Sequence, residues 1–205
     1  MDDRCLLFFI KNPEKGKVKT RLASAVGPKM AAELYRRFVL EMLFTLNKGT
    51  FLFYLCYSPE SPLSGLKDWL GDQYLYMPQS GENLGERMRN GFAEAISMNF
   101  KRVVLIGSDI PDLPLDFIEE AFTSLREKDA VIGPSFDGGY YLIGFKDKSF
   151  SPRVFEKIPW STGSVFEKTI RALEQEGLTI HTLQPLRDID TVEDLRIRDL
   201  RKKGR

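Results

Sequence analysis

Short apolar runs alternate along the chain with longer segments in which apolar residues recur every three or four positions. The first run, residues 5–10, is apolar at every position, which is typical of a strand buried on both faces. Alternation of strands and helices predicts a mostly parallel sheet with helices on its faces. The runs expected to form strands are residues 5–10, 51–57, 74–77, 103–106, 130–133, 140–145 and 178–183.

Helical spacing between these runs predicts the helices. In the segment 28–46 one stripe is apolar, and Pro28 suits the first turn of a helix. Asn83 followed by Glu86 predicts another helix start, because such a pair satisfies free backbone N–H groups there. The predicted helices are residues 28–46, 63–70, a segment beginning at 83, 117–125, 164–176 and 192–202.

The connection between residues 130–133 and 140–145 contains Asp137-Gly138-Gly139, which is typical of a hairpin turn. So short a connection predicts antiparallel pairing within the otherwise parallel sheet. We therefore expect one domain over residues 1–205. Its fold would be a three-layer α/β sandwich with a mixed, mostly parallel sheet and one antiparallel hairpin strand.

Composition narrows the classes of function. The chain carries 30 Lys and Arg against 29 Asp and Glu, whereas proteins that bind nucleic acids usually have a clear basic excess. The apolar run at residues 6–10 is far too short to span a membrane or to act as a signal peptide. Cys5 and Cys56 lie in apolar runs without a partner at metal-ligand spacing. We predict a cytoplasmic protein with no nucleic-acid partner, membrane span, disulfide or zinc site.

The loop after the first predicted strand, residues 11–22, is strongly basic. Lysine offers a mobile point charge and arginine a planar fork, and both bind phosphate well. The loop lacks the glycine spacing of known phosphate-binding loops, so its pattern leaves a phosphate site and a solvated basic loop equally open. Its cations are Lys11, Lys15, Lys17, Lys19 and Arg21.

Acidic residues follow the later strands, at the sheet edge where ligands bind in open α/β folds. Asp109 comes directly after the fourth predicted strand, where a rigidly held carboxylate suits Mg²⁺. The alternative is that Asp109 or Asp112 caps the following helix. Asp188 or Asp190 could complete a metal site with Asp109, although Asp190 or Thr191 could equally cap the last helix.

Three further residues remain open. Asp137 is explained by the hairpin turn alone, although the adjacent glycines would let a ligand approach the backbone. Arg87, one turn into its helix, faces either phosphate or water. His181 is the only histidine and lies within a predicted strand, which argues against a site built on a Ser–His–Asp or Cys–His pair.

Five segments of the chain carry a family resemblance. They are Lys11-Asn12-Pro13 with Lys19-Thr20-Arg21-Leu22, Leu84-Gly85-Glu86-Arg87-Met88, Gly107-Ser108-Asp109-Ile110-Pro111, Asp137-Gly138-Gly139-Tyr140-Tyr141-Leu142 and Asp188-Ile189-Asp190-Thr191. Together they resemble the radical-SAM/selenodomain-associated transferase family, of glycosyltransferase GT-A type. The resemblance covers nearly the whole chain and keeps the order of the motifs. The superfamily of that family, the nucleotide-diphosphosugar transferases, includes the molybdenum-cofactor and 2-phospholactate guanylyltransferases.

The resemblance implies a nucleotide bound over the first strands, with its phosphates held by the basic loop and by Mg²⁺ or Mn²⁺. By position, Lys19 and Arg21 match the phosphate-binding loop, and Asp109 and Asp190 match the metal-binding carboxylates. The sequence departs from relatives in two places: a lysine-rich loop replaces a glycine-rich opening, and Ser108-Asp109 replaces Asp-x-Asp. The expected phosphate-binding set is Lys11, Lys15, Lys19, Arg21, Arg87 and Ser108, and the expected metal set is Asp109, Asp190 and Asp188.

These observations predict a Mg²⁺-dependent transferase that acts on a nucleotide and a small-molecule acceptor. Lys19, Arg21 and Asp137 are the expected catalytic residues. In nucleotidyl transfer, an acceptor phosphate or carboxylate attacks a nucleoside triphosphate and pyrophosphate leaves. In glycosyl transfer, the donor is a nucleotide-diphosphosugar and Asp137 is the base. The sequence supports glycosyl transfer nearly as well as nucleotidyl transfer. A nucleotide-binding module without catalysis is the remaining alternative.

Overall fold

The computed structural model describes residues 3–58 and 60–203, with side chains as far as residue 200. Within those ranges, seven strands form one sheet. The strands are β1 (Arg4–Ile10), β2 (Leu52–Tyr57), β3 (Leu75–Pro78), β4 (Arg102–Ile106), β5 (Ala130–Pro134), β6 (Tyr140–Lys146) and β7 (Ile180–Thr182). The α-helices are α1 (Thr20–Val26), α2 (Pro28–Leu46), α3 (Leu63–Leu70), α4 (Leu84–Ser97), α5 (Leu115–Ser124), α6 (Val165–Gln175) and α7 (Val192–Lys203).

The sheet has the strand order β3-β2-β1-β4-β6-β5-β7. Strand β6 runs antiparallel to both of its neighbours, β4 and β5, and the other neighbouring pairs are parallel. The predicted mixed sheet with one antiparallel hairpin strand is therefore confirmed. The carboxyl ends of all strands except β6 meet at one edge of the sheet, which we call the carboxyl edge.

Helices cover both faces of the sheet, as the predicted three-layer α/β sandwich requires. Strand β1 is buried on both sides: Leu6 and Phe8 pack into one apolar cluster and Leu7 into the other. The first cluster receives apolar side chains of α2, α3 and α5, and the second those of α4 and α6. No helix in the described ranges has the length and apolar character needed to cross a membrane.

Most predicted elements appear close to their expected bounds. Helix α2 covers 28–46 as predicted, and α4 begins after Asn83, whose side chain accepts a hydrogen bond from the Glu86 N–H (3.0 Å). The prediction of an irregular loop up to residue 22 is wrong from Thr20 onward, because α1 begins there. Helix α1 has seven residues and buries only Leu22, so it is too short to produce a helical pattern in the sequence.

Candidate functional site

Lys19 lies at the centre of a charged cluster on the carboxyl edge. It directly precedes α1, and its backbone is in the left-handed region (φ 46°, ψ 49°). Its side chain is 3% exposed, and the ammonium lies 6.0 Å from the centroid of the buried Phe38 ring. Lys19 Nζ forms ion pairs with Asp109 Oδ1 and with Asp190 Oδ1, the latter at 3.0 Å. The two carboxylates compensate the burial of the ammonium.

The two carboxylates come from different elements that a backbone hydrogen bond joins. Asp109 follows β4 and Asp190 precedes α7, and the Ile189 N–H donates to the Asp109 carbonyl (2.9 Å). Arg21 Nη1 lies 3.6 Å from Asp190 Oδ2, and its side chain is 68% exposed. Burial lowers the pKa of Lys19, but Asp109 and Asp190 outweigh it and raise this pKa above its ordinary value. The ammonium is therefore charged at neutral pH.

A cleft of about 140 Å³ opens beside this cluster and is lined by four carboxylates, those of Asp109, Asp137, Asp188 and Asp190. Asp137 Oδ1 accepts hydrogen bonds from Ser135 Oγ (2.5 Å) and from the Gly139 N–H (2.8 Å), which fix its orientation. Burial raises the pKa of Asp188 to about 6, and the negative charge of Asp137 adds to the effect. The cleft is thus strongly acidic and contains a carboxyl group that titrates near neutral pH.

The donor set suits a hard divalent cation such as Mg²⁺ or Mn²⁺. Asp109 and Asp190 already converge on one cation, the Lys19 ammonium. Among the described residues, no group of three His, Cys, Asp or Glu side chains is arranged to hold a metal ion. Mg²⁺ usually takes one or two protein carboxylates and completes its shell with water and substrate phosphates. The residues therefore fit a cation shared with a phosphorylated ligand, rather than one held by the protein alone.

The other residues expected to bind phosphate have surroundings different from those of Lys19. Ser108 is buried, and its hydroxyl lies 3.1 Å from Tyr35 Oη, which also accepts from the Lys11 N–H (2.9 Å). Through Tyr35, Ser108 thus supports the backbone at the start of the basic loop. The Lys11 and Lys15 side chains are exposed. Arg87 donates to Glu60 Oε1 (2.9 Å) and to the carbonyl of Gly81 (3.1 Å).

Several alternatives to a functional role are also resolved. Thr191 caps α7, because its hydroxyl accepts from the Asp194 N–H (3.2 Å). Neither Asp109 nor Asp112 caps α5, whose N-cap residue is Pro114. His181 lies in β7, with its Nε2 2.8 Å from Glu120 Oε1.

Arg198 is a supporting residue that the sequence did not reveal. It is 7% exposed and forms a two-pronged ion pair with Asp112 (2.6 and 2.9 Å) and a further one with Glu41. Its guanidinium lies 5.1 Å from the centroid of Phe38, the ring that the Lys19 ammonium also approaches. Arg198 therefore fixes α7 against α2 and against the loop after β4. Arg198 lies in a segment rich in charged residues, so no pattern in the sequence distinguishes it from its neighbours.

Comparison with known proteins shows to which family the chain is similar. The sequence matches the family described as "Uncharacterized protein conserved in bacteria (DUF2064)" over residues 43–162. A solved structure from Desulfovibrio desulfuricans G20, of a protein with the proposed name nucleotide-diphospho-sugar transferase, is 44% identical. It has a TM-score of 0.93, and the match covers 96% of this chain and 86% of that chain. A search of curated proteins gives no match.

Two more distant structures share the fold. The 4-diphosphocytidyl-2C-methyl-D-erythritol synthase of Anaerococcus prevotii DSM 20548 is 14% identical, with a TM-score of 0.62 over 98% of this chain and 100% of that chain. The Mycobacterium tuberculosis H37Rv protein Rv0371c, solved with manganese, is 12% identical, with a TM-score of 0.52 over 95% and 96%. The predicted α/β fold and the resemblance to nucleotide-diphosphosugar transferases are confirmed.

We expect Asp188 to titrate with a pKa of about 6, and the Asp137→Asn variant to lower that pKa because it removes a neighbouring negative charge. An NMR titration of the side-chain carboxyl carbons measures both values. Since the pKa of folded Asp188 lies above its unfolded value, ionisation of Asp188 opposes folding. Asp188→Asn should therefore gain stability relative to wild type, by about 1–3 kcal/mol, as the pH rises from about 4 to above 6.

The matched control for this stability measurement is Asp68→Asn, an exposed carboxylate on α3. A wild-type titration in which Asp188 has the pKa of a free aspartate, or an unchanged pKa in Asp137→Asn, would contradict the description of the acidic cleft.

We expect Arg198→Met to lower the free energy of unfolding by about 1–3 kcal/mol, because Asp112 and Glu41 lose a shared cation while remaining partly open to water. Urea unfolding measures the change. Arg196→Met is the matched control, since Arg196 lies on the same helix and is exposed. Equal stabilities of the two variants would show that Arg198 does not fix α7.

Proposed function

We propose that this chain, which belongs to the DUF2064 family, is a divalent-metal-dependent transferase with a nucleotide-diphosphosugar as its donor. The observation that carries the proposal is the buried Lys19 ammonium between Asp109 and Asp190 at the carboxyl edge. In one place it joins a cation suited to phosphate with two carboxylates suited to a metal. The name of the 44% identical Desulfovibrio protein supports the choice of donor.

In this proposal Lys19 and Arg21 bind the diphosphate of the donor. Lys19 provides a charge with a fixed position, and the exposed Arg21 provides a planar fork at the rim of the site. Asp109 and Asp190 would hold Mg²⁺ or Mn²⁺, and the metal would stabilise negative charge on the phosphate oxygens. The protein supplies position and charge rather than covalent chemistry, so no histidine is needed.

The acidic cleft favours a neutral acceptor with a hydroxyl group. With Asp109 and Asp190 engaged by the metal, Asp137 and Asp188 would still repel an anionic acceptor, whereas a hydroxyl group needs a base near neutral pH. The acceptor oxygen bonds to the anomeric carbon of the sugar, and its proton passes to the pair Asp137 and Asp188. The bond between the anomeric carbon and the diphosphate oxygen breaks, and the nucleoside diphosphate leaves with the electron pair. Asp188 has a pKa of about 6 and is the base we propose for this step.

Nucleotidyl transfer is the second candidate, and the basic loop favours it. Five cations within eleven positions suit a triphosphate better than a diphosphate. In that reaction an acceptor oxygen attacks the α-phosphorus of a nucleoside triphosphate and pyrophosphate leaves. Against this candidate, Lys17 is paired with Glu14 (2.6 Å), and the pair contributes little net charge to the loop. A binding module without catalysis would hold the same ligands and release no product.

We expect Mg²⁺-dependent thermal stabilisation by nucleotide-diphosphosugars. A ligand at 100 times its Kd adds about 2.7 kcal/mol, which raises the Tm of a chain of this length by about 5–10 °C. Asp109→Asn should lose the Mg²⁺-dependent part and lower kcat/KM at least about 100-fold, as expected when charge stabilisation in the site is removed. Scanning fluorimetry and a product assay provide the two measurements.

Asp68→Asn on α3 is the control and should behave as wild type. Stabilisation by nucleoside triphosphates alone, with release of pyrophosphate, would favour nucleotidyl transfer. Stabilisation without product in any combination of donor and acceptor would favour the binding module. If neither class of nucleotide stabilises the protein with or without Mg²⁺, the proposal is wrong.

A further inference from the structure

We propose that Lys19 competes with the divalent metal for Asp109 and Asp190. Its ammonium pairs with both carboxylates until the phosphates of a ligand bind Lys19, and the carboxylates then become available to the divalent cation. The inference rests on the proposed function and adds a regulation of its site. Metal and nucleotide would then bind as a coupled pair, and the metal alone would bind weakly.

The contacts of Lys19 are the observation from which the competition is inferred. Its Nζ pairs with one oxygen of each of the two carboxylates that are the expected metal ligands. Because both carboxylates converge on a single positive charge, a second cation in the same position would meet the ammonium at close range. Like charges that close repel each other strongly in a partly buried site.

Lys19 has few ways to move aside. Its side chain is 3% exposed, and the ammonium lies near the Phe38 ring, on the inner side of α2. A metal that drew Asp109 and Asp190 away would leave a buried ammonium without a counter-ion, which is strongly unfavourable. Arg21 does not replace Lys19 as the counter-ion of both carboxylates, because its side chain is mostly in solvent and, among the described residues, its ion pair is with Asp190 at 3.6 Å.

A phosphorylated ligand removes this obstacle. Phosphate oxygens are acceptors for the Lys19 ammonium and at the same time complete the shell of the metal. Asp109, with 56% of its side chain exposed, is then no longer paired with the Lys19 ammonium and is available to the incoming cation. Because coupling between two ligands is reciprocal, the metal raises the affinity for the nucleotide by the same factor as the nucleotide raises the affinity for the metal.

The test is Mn²⁺ binding without nucleotide, measured from the electron paramagnetic resonance of free Mn²⁺. Lys19→Met should bind Mn²⁺ about tenfold more tightly than wild type, a factor within the usual range for coupled sites. Lys19→Arg keeps a cation and should bind as weakly as wild type. Lys128→Met, at an exposed lysine before β5, is the control and should also match wild type. Equal or weaker binding by Lys19→Met would overturn the proposal.

A second measurement needs no variant. In wild-type protein, Mg²⁺ alone should leave the side-chain nitrogen resonance of Lys19 at its position. The same Mg²⁺ concentration should shift that resonance once inorganic phosphate is added. A site that Mg²⁺ saturates without phosphate would overturn the inference and leave the proposed function intact. If wild type and Lys19→Met both fail to bind Mn²⁺, with or without phosphate and nucleotide, the proposed function fails as well.

Discussion

The buried Lys19 ammonium and its two carboxylates are the interaction on which the functional account depends. A lysine charge out of water is costly unless anions compensate it, and here Asp109 and Asp190 do so from two distant parts of the chain. In the proposed function these three groups bind the donor and its metal: the ammonium binds anionic oxygens of the donor, and the two carboxylates hold a hard cation.

The surrounding structure holds these groups in place. Strand β4 is buried in the centre of the sheet and delivers Asp109 to the carboxyl edge. Helix α7 delivers Asp190 and is fixed by Arg198, which lies against the same Phe38 ring as Lys19. Phe38 of α2 thus lies against both Lys19 of the candidate site and Arg198, which anchors α7. The positions of Lys19 and of α7 therefore depend on the same side chain.

The sequence was sufficient for the strands and the hairpin, because these follow from local periodicity and turn residues. Asp109 could be named as a candidate because it follows a predicted strand, and Lys19 because it lies in the basic loop and matches a position of the family that the sequence resembles. The sequence analysis expected Asp190 near Asp109 as a second metal ligand, but it could not foresee that Lys19 pairs with both carboxylates, since 171 positions separate Lys19 from Asp190 and long-range ion pairs leave no periodic signal. Arg198 was hidden for this reason too: its partner Asp112 is 86 positions away, and its neighbours are charged.

The most direct test is a crystal structure with Mn²⁺ and a nucleotide-diphosphosugar bound. The account predicts the metal on Asp109 and Asp190, and Lys19 Nζ within hydrogen-bond distance of a diphosphate oxygen. A structure in which Lys19 still pairs with both carboxylates while the diphosphate binds elsewhere would contradict it.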